Sequence, residues 1–310
     1  MTLLRAAGIL ILLLSAALPH LRAQQAVSPA ERARFVQESS TPSKIRVNAN
    51  GANIGDDEGT TDNSLGEHVI LTQPQPSRFF VTGDAGLYYT NNAALTRRNE
   101  IADSFVVVDA GIAWVSKINP DLTAQIAAHS SLFRYDTTSS LDFTSVGVGS
   151  GLSWHPQQFA NVDFFARYDF IEMFDRHSDK ILSDHQFTIG GEKAFSPGPF
   201  QTLLAGTALS AGLTEPESAQ RDQAGLFFTY RFQPTPSLRL DLFYRFAGQF
   251  YNDSGRVDRN QVMSANLWYW FSESVSINAL FSFTDNGSSD SAFDYNALSV
   301  GGGLNLSVRF

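Results

Sequence analysis

The chain has 310 residues, which allows one large domain or two ordinary ones. It carries 22 Lys and Arg against 31 Asp and Glu, contains no cysteine, and holds 25 Phe, 9 Tyr and 4 Trp but only 3 Met. Without cysteine there are no thiolate zinc sites, iron–sulfur clusters, thiol nucleophiles or disulfides, and a net charge of −9 without clustered basic residues excludes a nucleic-acid binder.

The first 23 residues, MTLLRAAGILILLLSAALPHLRA, are predicted to be a cleaved secretory signal. Arg5 supplies the positive start, Ala6 to Leu18 the apolar run, Pro19 the break, and Ala23 a small residue at the end. That run is shorter than the roughly 20 residues a membrane-spanning helix needs, and no later stretch is long enough either. Residues 24–77 differ in composition. They hold Pro29, Pro42, Pro74 and Pro76, the run Gly55-Asp56-Asp57-Glu58-Gly59, and few aromatics. Such a segment buries too little apolar surface to offset the entropy of ordering it, and is predicted to be a disordered periplasmic leader. A plug or a partner-binding arm is the functional alternative. Asp56, Asp57, Glu58 and Asp62 lack the spacing of a calcium loop.

From residue 78 the dominant pattern is alternation of apolar and polar side chains, the mark of a strand with one apolar face. Twelve such segments are predicted: 78–90, 104–117, 122–134, 142–154, 160–173, 184–195, 201–213, 222–232, 238–250, 261–271, 275–284 and 295–310. The last is the clearest. Leu298, Val300, Gly302, Leu304, Leu306, Val308 and Phe310 share one face, and Ser299, Asn305, Ser307 and Arg309 share the other. Connections after even strands are predicted to be short turns, such as Ile118–Asp121 and Gln233–Ser237. Those after odd strands are predicted to be longer polar loops, at 91–103, 135–141, 174–183, 214–221, 251–260 and 285–294. An even strand count with one short-turned rim is the pattern of a bacterial outer-membrane barrel, which puts both termini on the periplasmic side.

Twelve strands in a ring enclose more space than the side chains of an ordinary core fill. The arrangement that fits is inverted: the apolar stripe faces lipid, the polar stripe faces the interior, and closure pairs every backbone group. Aromatics near strand ends fit the headgroup region. Trp114, Trp154, Phe195, Phe232, Phe271 and Phe310 are placed at the short-turn rim, and Tyr89, Phe105, Tyr168, Phe170, Phe250 and Phe283 at the long-loop rim.

The C-terminal segment NALSVGGGLNLSVRF resembles the final strand of bacterial outer-membrane β-barrel proteins, which commonly end in Phe after apolar residues at alternate positions. Leu304, Leu306, Val308 and Phe310 hold those places, although an aromatic often stands where Val308 does. The resemblance covers residues 78–310. It implies an all-β fold, a closed antiparallel transmembrane barrel of about twelve strands in a Gram-negative outer membrane. It also implies that the barrel-assembly machinery reads this strand. It implies nothing about cargo.

The face assigned to the interior carries Asp84, Asp109, Asp163, Arg167, Asp169, Glu192, Arg231, Arg239, Asp241 and Arg245, candidates to line or filter a lumen. Phe165, Phe227, Phe243, Trp268 and Trp270 share that parity and either fill space or form a stacking track. His129 and Ser131 share a face, and the outer-membrane phospholipase, itself a twelve-stranded barrel, resembles this chain in a His-x-Ser pair. That enzyme orients its His with an Asn on the next strand, and residues 141–154 contain none. No catalysis, cofactor or metal is therefore expected; His68, His155, His177 and His185 are scattered. Glycines 147, 149, 151 and 301–303 precede no helix and read as curvature positions. The leading expectation is a porin-like channel for small hydrophilic solutes, its partners being outer-membrane lipid and those solutes. A structural or adhesive barrel with an occluded lumen and a barrel of an envelope export system are the alternatives.

Overall fold

Alternating segments with one apolar face form stable structure only where their edges are paired, and here each lies between two neighbours. The computed structural model describes residues 79–159 and 162–310; the signal and leader expectations lie outside these. The strands are β1 (Phe79–Thr90), β2 (Asp103–Asn119), β3 (Leu122–Tyr135), β4 (Phe143–Trp154), β5 (Val162–Asp175) and β6 (Lys180–Gly198). They continue as β7 (Gln201–Glu215), β8 (Arg221–Thr235), β9 (Leu238–Tyr251), β10 (Val257–Trp270), β11 (Val275–Ser288) and β12 (Tyr295–Arg309). Each pairs antiparallel with its sequence neighbours, and β1 pairs β12 to close the ring. The seam runs from Phe80↔Arg309 to Thr90↔Ser299. Beyond it the Phe79 amide donates to the Phe310 carbonyl at 3.3 Å, and the Phe310 amide to the Phe79 carbonyl at 2.9 Å. An antiparallel ring closes this way only with an even number of strands.

Side-chain parity divides the wall as the alternation predicts. Leu87, Ile112, Ile189, Leu213 and Leu304 are each more than half exposed on the outer face. An apolar outer band of this extent is the surface of a protein solvated by hydrocarbon. Most of the charged, amide and hydroxyl side chains of the strands lie on the inner face.

Several strands run further toward the long-loop rim than the alternation suggests. β6 starts at Lys180 rather than 184, β10 at Val257 rather than 261, and β11 continues to Ser288 rather than 284. Past the apolar band the outer positions need no longer be greasy. Arg259 and Asp285 sit there, so the periodic signal fades while the hydrogen-bond ladder continues. The expected loop 174–183 shrinks to residues 176–179. The Asp175 carboxylate accepts the amides of His177 at 2.8 Å and Asp179 at 2.9 Å, and Ser178 takes a left-handed φ of 69°. Loop length therefore sorts the rims less cleanly than expected: the turn at 155–161 is longer than that at 176–179.

A second correction concerns Phe105, expected in the outer aromatic girdle. It lies on the inner face, 3% exposed, stacked on Tyr88 at 5.5 Å and tilted against Tyr135 at 5.1 Å. Phe133 stacks on Phe143 at 4.3 Å, and Val107, Met173 and Leu182 complete an apolar cluster inside the long-loop half of the barrel. Ala93 and Ala219, from two of the loops, join it. The interior is thus not uniformly polar. Burying these rings inside the wall ties residues of two loops to the inner face.

Candidate functional site

The inner wall of the closed ring is a concave, charge-bearing surface. Its positions follow from strand parity, so each charged side chain is aimed by the register of the strand that carries it. Asp84 of β1 and Asp109 of β2 are direct partners across the ladder, which places two half-buried carboxylates side by side near mid-strand. Asp163 of β5 and Glu192 of β6 form a second acidic pair. Asp163 also contacts the His155 imidazole Nδ1 at the short-turn rim. Asp169 lies over Gly149 of β4, its Oδ1 2.7 Å from where a Cβ would stand. Arg167 holds its guanidinium 4.7 Å from the Phe165 ring centroid.

The wall of β8 and β9 is arginine-rich. Arg231 of β8 donates through Nε to the Asp241 Oδ1 at 2.8 Å, and Arg239 of β9 holds its Nε 2.9 Å from the Asp241 Oδ2. All three are buried, so two guanidiniums gather on one carboxylate near the short-turn rim. Trp268 and Trp270 of β10 stack on each other at 5.8 Å, and the Arg239 guanidinium lies 5.4 Å and 4.6 Å from their centroids. Higher on β9, Arg245 donates through Nη2 to the Asn260 Oδ1 at 2.9 Å.

The ten charged candidates thus sort into two arcs. Asp84, Asp109, Asp163, Arg167, Asp169 and Glu192 lie on β1, β2, β5 and β6; Arg231, Arg239, Asp241 and Arg245 lie on β8 and β9. Arg231, Arg239 and Asp241 come together as one cluster, in the register the shared turn predicts. The inward aromatics pack rather than form a continuous track. Phe165 and Phe227 make a small cluster with Leu204 and Phe243, while the two tryptophans pack with Arg239. His129 points inward with its ring against Gly147, where a Cβ would stand 2.5 Å from Cε1.

Other lumen residues escaped the sequence reading. Asn266, Asn278 and Asn305 form an amide relay across β10, β11 and β12: Asn278 Nδ2 donates to Asn266 at 3.0 Å, and Asn305 Nδ2 to Asn278 at 3.1 Å. Near the loop rim Asp258 accepts from Ser288 Oγ at 2.5 Å and Asn286 Nδ2 at 3.2 Å, and pairs with Arg256 Nε at 3.1 Å. Arg256 is held between the rings of Tyr251 at 3.5 Å and Phe293 at 3.7 Å. Inward parity was the signal for the amides. Asp258 and Asn260 preceded the segment recognised as strand.

No family model and no curated protein matches the sequence. Solved structures do resemble it. The COG4313 outer membrane channel from Pseudomonas putida F1 superposes with a TM-score of 0.50 at 10% identity, covering 79% of this chain and 100% of the other. The translocator domain of autotransporter NalP from Neisseria meningitidis gives 0.43 at 10% identity, covering 76% and 90%. An anion-selective porin from Comamonas acidovorans gives 0.40 at 7% identity, covering 74% and 98%. The chain is a closed, twelve-stranded antiparallel β-barrel, a fold it shares with that outer membrane channel. At such identity the likeness speaks for fold and leaves the cargo to the wall itself.

Proposed function

We propose that this barrel is an outer-membrane channel for small hydrophilic solutes, made with a cleaved signal and inserted with both termini in the periplasm. The observation that carries the reading is the separation of inward charge. Carboxylates Asp84, Asp109 and Asp169 stand on β1, β2 and β5, and Arg231, Arg239 and Arg245 on β8 and β9. The Asp84–Asp109 pair on β1 and β2 lies across the ring from the arginines of β8 and β9, and that arrangement orients dipolar solutes and disfavours apolar ones. An adhesive barrel or an export component has less use for such an arrangement of inward charge. The inward His129 makes no claim on catalysis at the lipid surface, because its ring faces away from acyl chains.

The test is conductance and solute entry. Purified protein, with and without residues 24–77, is expected to give discrete conductance steps in planar bilayers and to admit arabinose or glycine into liposomes. If neither form conducts nor admits solute, the channel reading is wrong.

A further inference from the structure

The strands that carry the lumen arginines carry few inward carboxylates. Along β8, β9 and the start of β10 the inner face holds five guanidiniums, Arg221, Arg231, Arg239, Arg245 and Arg256, against two carboxylates, Asp241 and Asp258. Asp222, the third acid of these strands, has the opposite parity and pairs with the outer Phe250. Both inward carboxylates are committed, Asp241 to Arg231 and Arg239, and Asp258 to Arg256, Ser288 and Asn286. A surplus of fixed positive charge on the wall of a bore draws anions to that wall.

The guanidiniums are spaced along the wall instead of gathered at one rim. Arg239 and Arg245 are six residues apart on β9, and Tyr251, six further on, is the register partner of Arg221, whose Nη1 donates to the Tyr251 hydroxyl at 3.1 Å. Each step is roughly 20 Å along the strand. Arg231 and Arg239 therefore stand near the short-turn rim, Arg245 in mid-strand, and Arg221 and Arg256 at the long-loop rim. Side-chain amides occupy the intervals. Gln223 and Gln249, partners across β8 and β9, lie between Arg245 and Arg221, and Asn266 lies beside Asp241. Arg245 is aimed by Asn260, whose Oδ1 accepts from its Nη2 at 2.9 Å and whose Nδ2 donates to Asn286 at 3.2 Å. A planar guanidinium presents paired donors at the spacing of two carboxylate or phosphate oxygens, which a point charge does not.

We propose that the β8–β10 wall is a binding track for small oxyanions, carboxylates and phosphates, which pass Arg221 and Arg256 at one rim, Arg245 in mid-bore and Arg231 with Arg239 at the other. This names a solute class for the channel reading and rests on that reading for transit, but binding at Arg245 does not require that the barrel conduct. The probe is succinate. Its binding to the folded full-length barrel in detergent is measured by equilibrium dialysis at low salt, with inorganic phosphate and neutral succinamide as competitors.

Saturable binding is expected, displaced by phosphate and unmoved by succinamide. Arg245→Gln is expected to weaken it by about tenfold or more through loss of a charge-assisted pair. Arg259→Gln, on the outer face of β10, is expected to leave it unchanged. Should Arg245→Gln fail to fold, Arg221→Gln carries the same test. Absence of saturable binding, displacement by succinamide as readily as by phosphate, or full affinity in the Arg245 or Arg221 variant overturns the track. Conductance is a separate readout: a conducting barrel whose succinate binding ignores these arginines removes the track alone, and a silent barrel that binds succinate through them removes the channel alone.

Discussion

The Phe227 ring of β8 lies over Gly206, its register partner on β7, so closely that a Cβ at Gly206 would stand 2.3 Å from the ring's Cζ. Phe165 of β5 and Gly190 of β6 repeat the arrangement at the same 2.3 Å. In both, a glycine lets a large inward ring lie over the neighbouring strand instead of standing out into the bore. Gly206→Val is therefore expected to push Phe227 off its seat, costing about 1–3 kcal/mol of stability through overpacking. Urea unfolding in lipid should show the loss. Conductance should fall as well, and restoring it with Phe227→Ala in the same chain would tie the fall to the displaced ring.

Asp84 and Asp109 neighbour each other on one arc while Arg245 stands on another, which gives the charge proposal a sign. Asp84→Asn with Asp109→Asn should move the reversal potential in a KCl gradient toward anion preference. Arg245→Gln should move it toward cation preference. An unchanged reversal potential in both variants would mean that these side chains do not face the permeation path.

Asp241 is the shared partner of two buried guanidiniums, so its loss differs in kind from the loss of either arginine. Asp241→Asn leaves Arg231 and Arg239 together without their carboxylate, at an expected cost of about 3–5 kcal/mol. Arg231→Gln keeps the Asp241–Arg239 pair and should cost clearly less. The ratio of the two urea midpoint shifts checks the difference.

The fold was legible because alternation is a direct record of two solvents, one on each side of every strand. Leu298 to Phe310 shows it without interruption. Where one solvent changes, the record stops: past the lipid band Arg259 and Asp285 occupy outer positions, and the strand ends there could not be read. Phe105 was misplaced for a related reason. An aromatic near a strand end fits a girdle or an inner stack equally well, and parity, not position, decides between them. Parity fixes the face on which each charged residue of a strand lies. Their grouping around the ring depends on the curvature of the whole barrel, which no single strand encodes.

Phe310 closes the seam with Phe79, and the final strand resembles the one the assembly machinery reads. Phe310→Ser keeps both backbone bonds, so refolding into lipid from urea should be nearly unchanged. Assembly in cells should drop several-fold, seen as loss of the heat-modifiable band from outer-membrane fractions. A matching loss in both assays would assign Phe310 to stability rather than recognition.

Leu209 and Ser210 are successive residues in the middle of β7 and face opposite solvents, Leu209 outward and half exposed, Ser210 inward with its hydroxyl 2.9 Å from Thr188 Oγ1. Leu209→Arg puts a cation among acyl chains and should cost about 2–4 kcal/mol in a bilayer, as charges at the midplane of such barrels do. Ser210→Arg puts the same side chain into the bore, where water and the Asp169 arc screen it, and should cost much less. Urea unfolding in dilauroyl phosphatidylcholine vesicles separates the two. In detergent micelles, which rearrange around a charge, the gap should narrow. Equal costs in the bilayer would mean that the greasy face of β7 does not touch lipid.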